Sequence, residues 1–186
     1  MRFPASIAFG ENNALLVKGP NVMLGYWKNP EATARVKSAT GWLDTGDQAR
    51  MEKGFLYITG RIKDIIVLGN GEKVPPVDME LAILLDPLFD HVMIIGEARP
   101  YLAALCVLNK QEAQKAGDLS DKALAARIAA QLKAFPGYAQ VRRVVAVDEP
   151  WTVENGLLTP TMKLKRAPIM ERFKAQVESL YEGRQK

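Results

Sequence analysis

The sequence predicts an α+β fold, in which a short antiparallel sheet and a hairpin are packed by helices and preceded by a segment rich in strands. Residues 1–60 contain apolar runs and alternating stretches separated by glycine-rich turns, a pattern typical of strands. After Arg61, short apolar runs alternate with segments in which apolar residues recur at helical spacing. This change of pattern near Arg61 is the predicted domain boundary.

The first segment contributes strands and turns. Ala14 to Val17 form a short apolar run after a turn-rich stretch, and Gly54 to Thr59 alternates as a strand does. A hairpin is predicted next, because residues 65–68 and 72–74 flank the turn Gly69-Asn70-Gly71. The two glycines can adopt the positive φ that a tight turn requires.

A helix is predicted over residues 76–86, with Pro76 in its first turn. The apolar residues that share one face of this helix are Val77, Leu81, Leu84 and Leu85. Two continuous apolar runs follow, Val92 to Ile95 and Leu102 to Leu108, joined by residues 96–100. Such runs on either side of a turn predict two buried antiparallel strands.

The rest of the chain is predicted to contain two helices and one strand. Ser120 is placed to cap a helix whose apolar residues recur every four positions, namely Leu124, Ile128 and Leu132. Residues 141–147 predict a strand, and a final helix is expected from near Pro168. Its inner stripe consists of Ile169, Phe173, Val177 and Leu180.

Composition indicates a globular chain without covalent cross-links. Its 186 residues are 48% hydrophobic and 25% charged, which suffices for one domain or two small ones. The single cysteine, Cys106, lies in an apolar run, so we expect no disulfide framework and a reducing compartment. Because no apolar stretch approaches the roughly 20 residues that cross a bilayer, and the first residues lack a signal peptide's apolar region, we expect a cytoplasmic protein.

The net charge of +4 originates in one segment. Residues 161–186 carry seven basic and three acidic side chains, so the remainder of the chain is neutral. A basic tail is able to contact anionic lipid or nucleic acid, but its apolar stripe favours a solvated helix face. A nucleic-acid-binding module is therefore kept only as the non-enzymatic alternative. Peripheral contact with the inner face of a membrane is compatible with the charge.

Six ordered blocks of sequence resemble those of the adenylate-forming superfamily, which comprises acyl-CoA synthetases, luciferases and peptide-synthetase adenylation domains. The blocks read NVMLGYW, KNPEAT, GWLDTGD, GRIKD, GNGEKVPP and NGLLTPTMKLKR, beginning at Asn21, Lys28, Gly41, Gly60, Gly69 and Asn155. The last three are similar to the long-chain fatty acyl branch. Many members of the superfamily carry Ser-Gly before the final lysine, where this chain has Thr161-Met162. This departure leaves Lys163 and Lys165 both open as the family lysine, with Lys163 preferred.

The resemblance implies a domain organisation for the chain. Residues 1–60 would be the last, β-rich part of a large adenylating domain, 61–64 a hinge, and 65–186 a C-terminal catalytic lid domain. The Thr/Ser/Gly-rich loop followed by Pro-Lys, which holds the ATP phosphates in this superfamily, has no counterpart between Met1 and Gln48. We therefore expect the missing N-terminal part of the large domain as a partner, and an inactive chain without it.

The reaction implied by the resemblance is that of an ATP-dependent, AMP-forming long-chain fatty acid:CoA ligase. A fatty acid carboxylate attacks the α-phosphate of ATP to give acyl-adenylate, and the thiol of coenzyme A then displaces AMP. Lys163 would be the catalytic residue, because its ammonium offsets repulsion between two anions. Asp47 and Arg61 would bind the ribose of the nucleotide.

The resemblance assigns four further residues. Lys63 and Asp64 would form the hinge about which the second domain rotates between the half-reactions. Gly71 and Glu72 would line the path of coenzyme A, since a residue without Cβ lets the thiol arm pass close to the backbone. Mg²⁺ would arrive with the ATP phosphates, as no histidine and cysteine cluster suggests a protein-bound metal.

Two residues that often carry chemistry are expected to be structural, namely His91 before an apolar strand and Cys106 within one. The enzymatic alternative to a coenzyme A ligase is a fatty acyl-AMP ligase or acyl-carrier-protein synthetase of the same superfamily. The sequence leaves acyl chain length open, because the superfamily selects its acyl group in a tunnel formed by the missing domain.

Overall fold

The computed structural model describes residues 5–182, except for the side chain of residue 63. The chain forms two compact units that divide between Ile65 and Ile66, and we refer to them as the first and second unit. Among the described residues, no helix combines the length and the apolar character needed to cross a membrane.

The first unit is a four-stranded antiparallel sheet in sequence order. Its strands are β1 (Ser6–Phe9), β2 (Ala14–Lys18), β3 (Leu43–Glu52) and β4 (Phe55–Arg61). Helix α1 (Pro30–Val36), which the strand and turn pattern did not predict, lies between β2 and β3. Asn29 caps this helix, because its side chain accepts the N–H of Ala32 at 3.0 Å, and Pro30 occupies the first turn.

The first unit buries little apolar surface. Its buried apolar side chains are Ala14, Leu15 and Ala49. Large apolar side chains are instead exposed across the sheet and the loop that follows β2, namely Ile7, Phe9, Leu24, Tyr26, Trp27, Met51, Phe55, Tyr57 and Ile58. Leu24 and Trp27 are 96% and 88% exposed. Exposed apolar side chains in such number are typical of a protein segment that another part of a protein covers.

The second unit begins with a hairpin and a helix. Strands β5 (Ile66–Val67) and β6 (Lys73–Val74) pair antiparallel around the predicted turn, and helix α2 (Pro76–Ile83) follows. The face of α2 that is buried carries Met79, Glu80 and Ile83. The predicted apolar stripe lies on the opposite, exposed side of the helix, where Leu81 is 60% and Leu85 78% exposed.

A three-stranded sheet forms the centre of the second unit, in the order β7-β8-β9. Strands β7 (Phe89–Ile95) and β8 (Leu102–Leu108) are antiparallel, as predicted. Strand β9 (Val141–Val147) pairs parallel with β8. Helices α3 (Lys110–Ala116) and α4 (Asp121–Gln131) connect those two strands, and such a crossover returns the chain in the parallel direction. Helices α5 (Arg166–Arg172) and α6 (Lys174–Ser179) follow β9 in the described part of the chain.

Helices cover both faces of this sheet. One face packs against α2 and α4 through Val92, Ile94, Ala104, Cys106, Met79, Ile83, Leu124 and Ile128. The other packs against α5, α6 and the preceding loop through Met93, Leu105, Trp151, Leu157, Ile169, Phe173 and Val177. Residues 102–107 of β8 are buried on both faces, which explains why their sequence is continuously apolar rather than alternating.

Two structural residues and one ion pair complete this core. Burial raises the pKa of the Cys106 thiol to about 12, so the thiol stays protonated at neutral pH. Burial also lowers the pKa of His91, whose ring stacks on Trp151 with the centroids 5.8 Å apart. Arg127 of α4 binds both carboxylate oxygens of Asp86, at 2.7 and 2.8 Å. These bonds hold the pKa of Asp86 below its usual value.

Limited proteolysis is expected to degrade the first unit before the second. Among residues 5–65, three apolar side chains are buried, whereas both faces of the central sheet in the second unit are packed. Local opening costs least where few apolar contacts hold the backbone. Mass spectrometry of a short digestion should reveal a protected fragment that starts near residue 66. A protected fragment drawn from residues 5–60, with residues 66–182 digested, would contradict the expectation.

Candidate nucleotide-binding and catalytic residues

Asp47 and Arg61 face each other on adjacent strands of the first unit. They are paired in the register of β3 and β4, and Nε of Arg61 lies 3.3 Å from Oδ1 of Asp47. The Arg61 side chain is 67% exposed and that of Asp47 30% exposed. Within the described residues, Oδ2 of Asp47 makes no hydrogen bond. One carboxylate oxygen and several guanidinium N–H groups are therefore available to adjacent hydroxyl groups of a ligand.

The backbone around Asp47 is fixed by local hydrogen bonds. The N–H of Asp47 donates to Oγ1 of Thr45 at 3.1 Å, and the Thr45 hydroxyl donates to the carbonyl of Leu15 on β2 at 3.0 Å. On the partner strand, Gly60 has φ 145°, and the register shifts where Gln48 and Ala49 meet β4. Glycine tolerates this conformation, and the resulting bulge keeps Arg61 opposite Asp47.

The predicted hinge coincides with a single 3₁₀ turn, Ile62–Asp64, which directly follows β4. The side chain of Lys63 lies outside the described part of the structure. Asp64 is half-buried and ends the turn. The two compact units divide one residue after this turn has ended, between Ile65 and Ile66.

Gly71 occupies the tight turn between β5 and β6, with φ +87°. Its N–H donates to the carbonyl of Leu68 at 2.8 Å, and no heavy atom lies within 4 Å of the position that a Cβ would take. The neighbouring Glu72 is exposed. Glycine is therefore required at this position by the backbone conformation, and the space beside it is open.

The hairpin that contains the Gly71 turn is hydrogen-bonded to residues 97–99, which connect β7 and β8. The N–H of Gly69 donates to the carbonyl of Arg99, and the N–H of Ala98 donates to the carbonyl of Val67, both at 2.8 Å. The N–H of Val67 donates to a carboxylate oxygen of Glu97 at 2.9 Å. These three bonds make the turn part of the folded second unit rather than a free loop.

Lys163 lies at the tip of a small hairpin formed by residues 157–165, here called the lysine hairpin. The N–H of Lys165 donates to the carbonyl of Leu157 at 2.9 Å, Leu158 and Leu164 form a β-bridge, and the N–H of Thr159 donates to the carbonyl of Lys163 at 2.8 Å. Leu157 and Leu158 are buried, which anchors the hairpin in the core.

The Lys163 side chain is exposed, and within residues 5–182 its ammonium has no hydrogen-bond or ion-pair partner. Lys165 is exposed as well, but it lies at the base of the lysine hairpin, directly before α5. The two lysines therefore occupy different places in the lysine hairpin. Lys163 pairs with Thr159 beside the loop, whereas Lys165 pairs with Leu157 next to the core.

Met162 occupies a backbone conformation that favours glycine. Pro160, Thr161 and Met162 form the loop of the lysine hairpin, the N–H of Met162 donates to the carbonyl of Thr159 at 2.8 Å, and Met162 has φ +61°. A turn followed by a left-handed residue is the usual three-residue hairpin loop. A side chain in this conformation costs on the order of 1 kcal/mol. The turn therefore forms even though this chain has Thr161-Met162 where many members of the superfamily have Ser-Gly.

Three residues that sequence reasoning did not single out form a hydrogen-bonded ring below the lysine hairpin. Arg166 donates to Oε1 of Glu80 at 2.7 Å and to the carbonyl of Ile94 at 3.0 Å, and the N–H of Ile94 donates to the same Oε1 at 2.7 Å. We call this ring the Glu80–Arg166 clamp. The residues lie on α2, β7 and α5, so no local sequence signal indicates their contact.

Comparison with solved structures defines the class to which this fold belongs. The adenylation domain of carboxylic acid reductase from Segniliparus rugosus, solved with AMP and a co-purified carboxylic acid, is 25% identical and has a TM-score of 0.83, covering 95% of this chain and 31% of that chain. The corresponding domain from Mycobacterium chelonae is 28% identical with a TM-score of 0.81, covering 90% of this chain and 27% of that chain. The predicted α+β fold is confirmed, and it is that of the C-terminal regions of adenylation domains.

Residues 63–185 match the family described as AMP-binding enzyme C-terminal domain, and the chain belongs to this family. It is 35% identical to the long-chain-fatty-acid–[acyl-carrier-protein] ligase AEE15 of Arabidopsis thaliana, covering 92% of this chain and 26% of the relative. It is also 35% identical to the long-chain-fatty-acid–CoA ligase FadD15 of Mycobacterium tuberculosis, covering 95% of this chain and 32% of the relative. The chain thus spans about a quarter to a third of the length of these relatives. The predicted resemblance to the C-terminal part of an AMP-forming ligase is confirmed.

Proposed function

We propose that the chain is the C-terminal part, including the catalytic lid, of an ATP-dependent, AMP-forming ligase that joins long-chain fatty acids to coenzyme A. The observation that carries this proposal is the exposed Lys163 ammonium, which has no partner among residues 5–182 and lies at the tip of a hydrogen-bonded hairpin within a domain of the AMP-binding enzyme family. The names of the relatives that are 35% identical support a long-chain fatty acid as the substrate.

The first half-reaction joins two anions. A carboxylate oxygen of the fatty acid forms a bond to the α-phosphorus of ATP, and the bond from that phosphorus to the bridging oxygen breaks, so pyrophosphate leaves with the electron pair. We assign Lys163 to this step. Its ammonium would contact the carboxylate and the α-phosphate together and stabilise the charge that develops in the transition state.

Asp47 and Arg61 would hold the nucleotide in the first half-reaction. The two ribose hydroxyls would donate to the Asp47 carboxylate, while Arg61, fixed beside it, would donate to the sugar oxygens. Mg²⁺ would enter with the phosphates of ATP. Among residues 5–182, no group of three or more histidine, cysteine, aspartate or glutamate side chains is arranged to hold a metal ion.

The second half-reaction transfers the acyl group. The thiol sulfur of coenzyme A bonds to the acyl carbonyl carbon, the bond from that carbon to the phosphate oxygen breaks, and AMP leaves while the thiol proton goes to solvent. We propose that residues 61–64 act as a hinge. Rotation about this hinge would move Lys163 away from the reacting acyl group and bring the Gly71 turn to it. The open space beside Gly71 and the exposed Glu72 would then border the coenzyme A arm.

Assay of the purified full-length ligase tests the proposal. Incubation with ATP, Mg²⁺, palmitate and coenzyme A should yield palmitoyl-CoA and AMP in equal amounts, as measured by mass spectrometry, and acetate should be a poor substrate. Parallel reactions should replace coenzyme A with an acyl carrier protein that bears phosphopantetheine. Formation of ADP instead of AMP would refute the acyl-adenylate route, and transfer to the carrier protein alone would refute coenzyme A as the acceptor.

A further inference from the structure

The Glu80–Arg166 clamp has more hydrogen bonds than a simple ion pair. One oxygen of Glu80 accepts from both the Arg166 guanidinium and the N–H of Ile94, while a second guanidinium nitrogen donates to the carbonyl of Ile94. Arg166 is thereby held at two points, on a carboxylate of α2 and on the backbone of β7. Two-point binding by a planar guanidinium fixes its direction as well as its distance.

Burial makes the clamp stiff. The Glu80 side chain is 9% and the Arg166 side chain 27% exposed. Hydrogen bonds between charged groups are strengthened where little water competes. A buried ion pair is nevertheless weak evidence for a role in stability, because well-packed apolar side chains of similar volume often serve equally well. A role in orientation accounts for the arrangement better than a role in stability does.

The clamp lies at the base of the lysine hairpin. Arg166 is the first residue of α5 and follows Lys163 by three positions, and the N–H of Lys165 between them donates to the carbonyl of Leu157. Three extended residues span roughly 10 Å, so a tilt of about 6° at the base displaces the tip by about 1 Å. A displacement of that size at a reacting group can cost on the order of 10²-fold in rate.

We propose that Arg166 is a positioning residue that, through its clamp to Glu80 and Ile94, sets the direction in which the lysine hairpin presents Lys163. The inference rests on the proposed function of Lys163 for its catalytic consequence. Its structural part, orientation of the lysine hairpin by Arg166, concerns the chain itself and is tested independently of any activity.

Amide hydrogen exchange on the chain tests the structural part. Arg166→Met should speed exchange at the amides of Thr159, Lys163 and Lys165 by about 10-fold or more, because opening of the lysine hairpin would no longer be resisted at its base. Arg127→Met is the matched control, since it breaks a second arginine pair of this unit in which the carboxylate, that of Asp86, is buried. The control should leave those three amides unchanged relative to the rest of the unit. Equal acceleration in both variants would overturn the proposal.

A double-mutant cycle in the full-length ligase tests the catalytic part. Arg166→Met should lower kcat for adenylation by about 10-fold with little change in the KM for ATP, and it should spare thioester formation from preformed acyl-AMP. In a background that already carries Lys163→Ala, the same change should have no further effect, because Arg166 acts through Lys163. Additive losses in the double variant would sink the inference.

Two outcomes separate this inference from the proposed function. If Lys163→Ala leaves adenylation intact, the proposed function fails, while the exchange experiment still decides whether Arg166 orients the lysine hairpin. If Arg166→Met does not fold, Glu80→Gln takes its place, since the amide oxygen still accepts from Ile94 while the charge that holds Arg166 is removed. This variant should speed exchange at the same amides by about 3-fold or more, and protection equal to that of the native chain would refute the clamp.

Discussion

Lys163→Ala is expected to slow adenylation by the full-length ligase by on the order of 10²-fold or more, while thioester formation from preformed acyl-AMP stays near its native rate. The loss should fall on kcat, because a charge that acts mainly in the transition state contributes little to binding of ATP. Pyrophosphate release with palmitate and ATP measures the first half-reaction, and release of AMP from synthetic palmitoyl-AMP and coenzyme A measures the second.

Lys165→Ala is the internal control for this experiment. Its side chain is exposed like that of Lys163 and lies two residues away, but at the base of the lysine hairpin instead of the tip. We expect Lys165→Ala to retain most of the adenylation rate. An equal fall of both half-reactions in the Lys163 variant would refute exchange between two lid positions. Loss of adenylation only in the Lys165 variant would identify Lys165 as the catalytic lysine.

The 186-residue chain by itself is expected to catalyse no detectable adenylation. It contains the Asp47–Arg61 pair and Lys163, but its sequence has no glycine-rich phosphate loop. Two side chains cannot replace a preorganised set of backbone donors around three phosphates. Exchange of labelled pyrophosphate into ATP, in the presence of palmitate, should therefore equal that of a heat-denatured sample.

A matched control distinguishes exchange catalysed by the chain from exchange catalysed by a contaminating enzyme. Any exchange seen with the native chain should be compared with exchange by the same chain carrying Lys163→Ala. Exchange that is above background in the native chain and absent from the variant would show that the chain is catalytically competent alone. Exchange that is equal in both would be attributed to contamination.

Strong local patterns predicted most elements of the second unit. The two continuous apolar runs on either side of residues 96–100 predicted buried antiparallel strands, which the structure confirms as β7 and β8. The cap at Ser120 is likewise confirmed, since its side chain accepts the N–H of Ala123 at 3.3 Å. The parallel pairing of β9 was not predicted, because it depends on the path of α3 and α4 and not on the sequence of the strand.

In helix α2, the periodicity of apolar residues predicted the wrong buried face. Its residues Leu81 and Leu85 suggested the inner face, yet they are exposed, and the buried side includes the charged Glu80. From hydrophobicity alone, the charged Glu80 is expected to be exposed to solvent. It is buried because Arg166, 86 residues away in the sequence, binds its carboxylate. The short helices α1 and α3 were missed for a different reason, since each depends on an asparagine cap more than on an apolar stripe.

The candidate site was predicted residue by residue from resemblance, and its geometry came from the structure. The register of β3 and β4 brings Asp47 and Arg61 together, although 14 positions separate them in the sequence. The lysine hairpin distinguishes Lys163 at the tip from Lys165 at the base, a difference that the letters TMKLKR do not convey. The assigned roles of these residues stay predictions until the kinetic experiments are done.

The Glu80–Arg166 clamp also bears on solubility. Strands β7 and β9 are the outer strands of their sheet, and outer strands offer unpaired backbone groups to which another chain can add. On β7, side chains already occupy the outward N–H and carbonyl of Ile94. On β9, the exposed Arg142 and Arg143 place positive charge along the rim. At Ile94 the Glu80–Arg166 clamp therefore already uses backbone groups with which an added strand would have to pair, which disfavours strand addition at this position of β7.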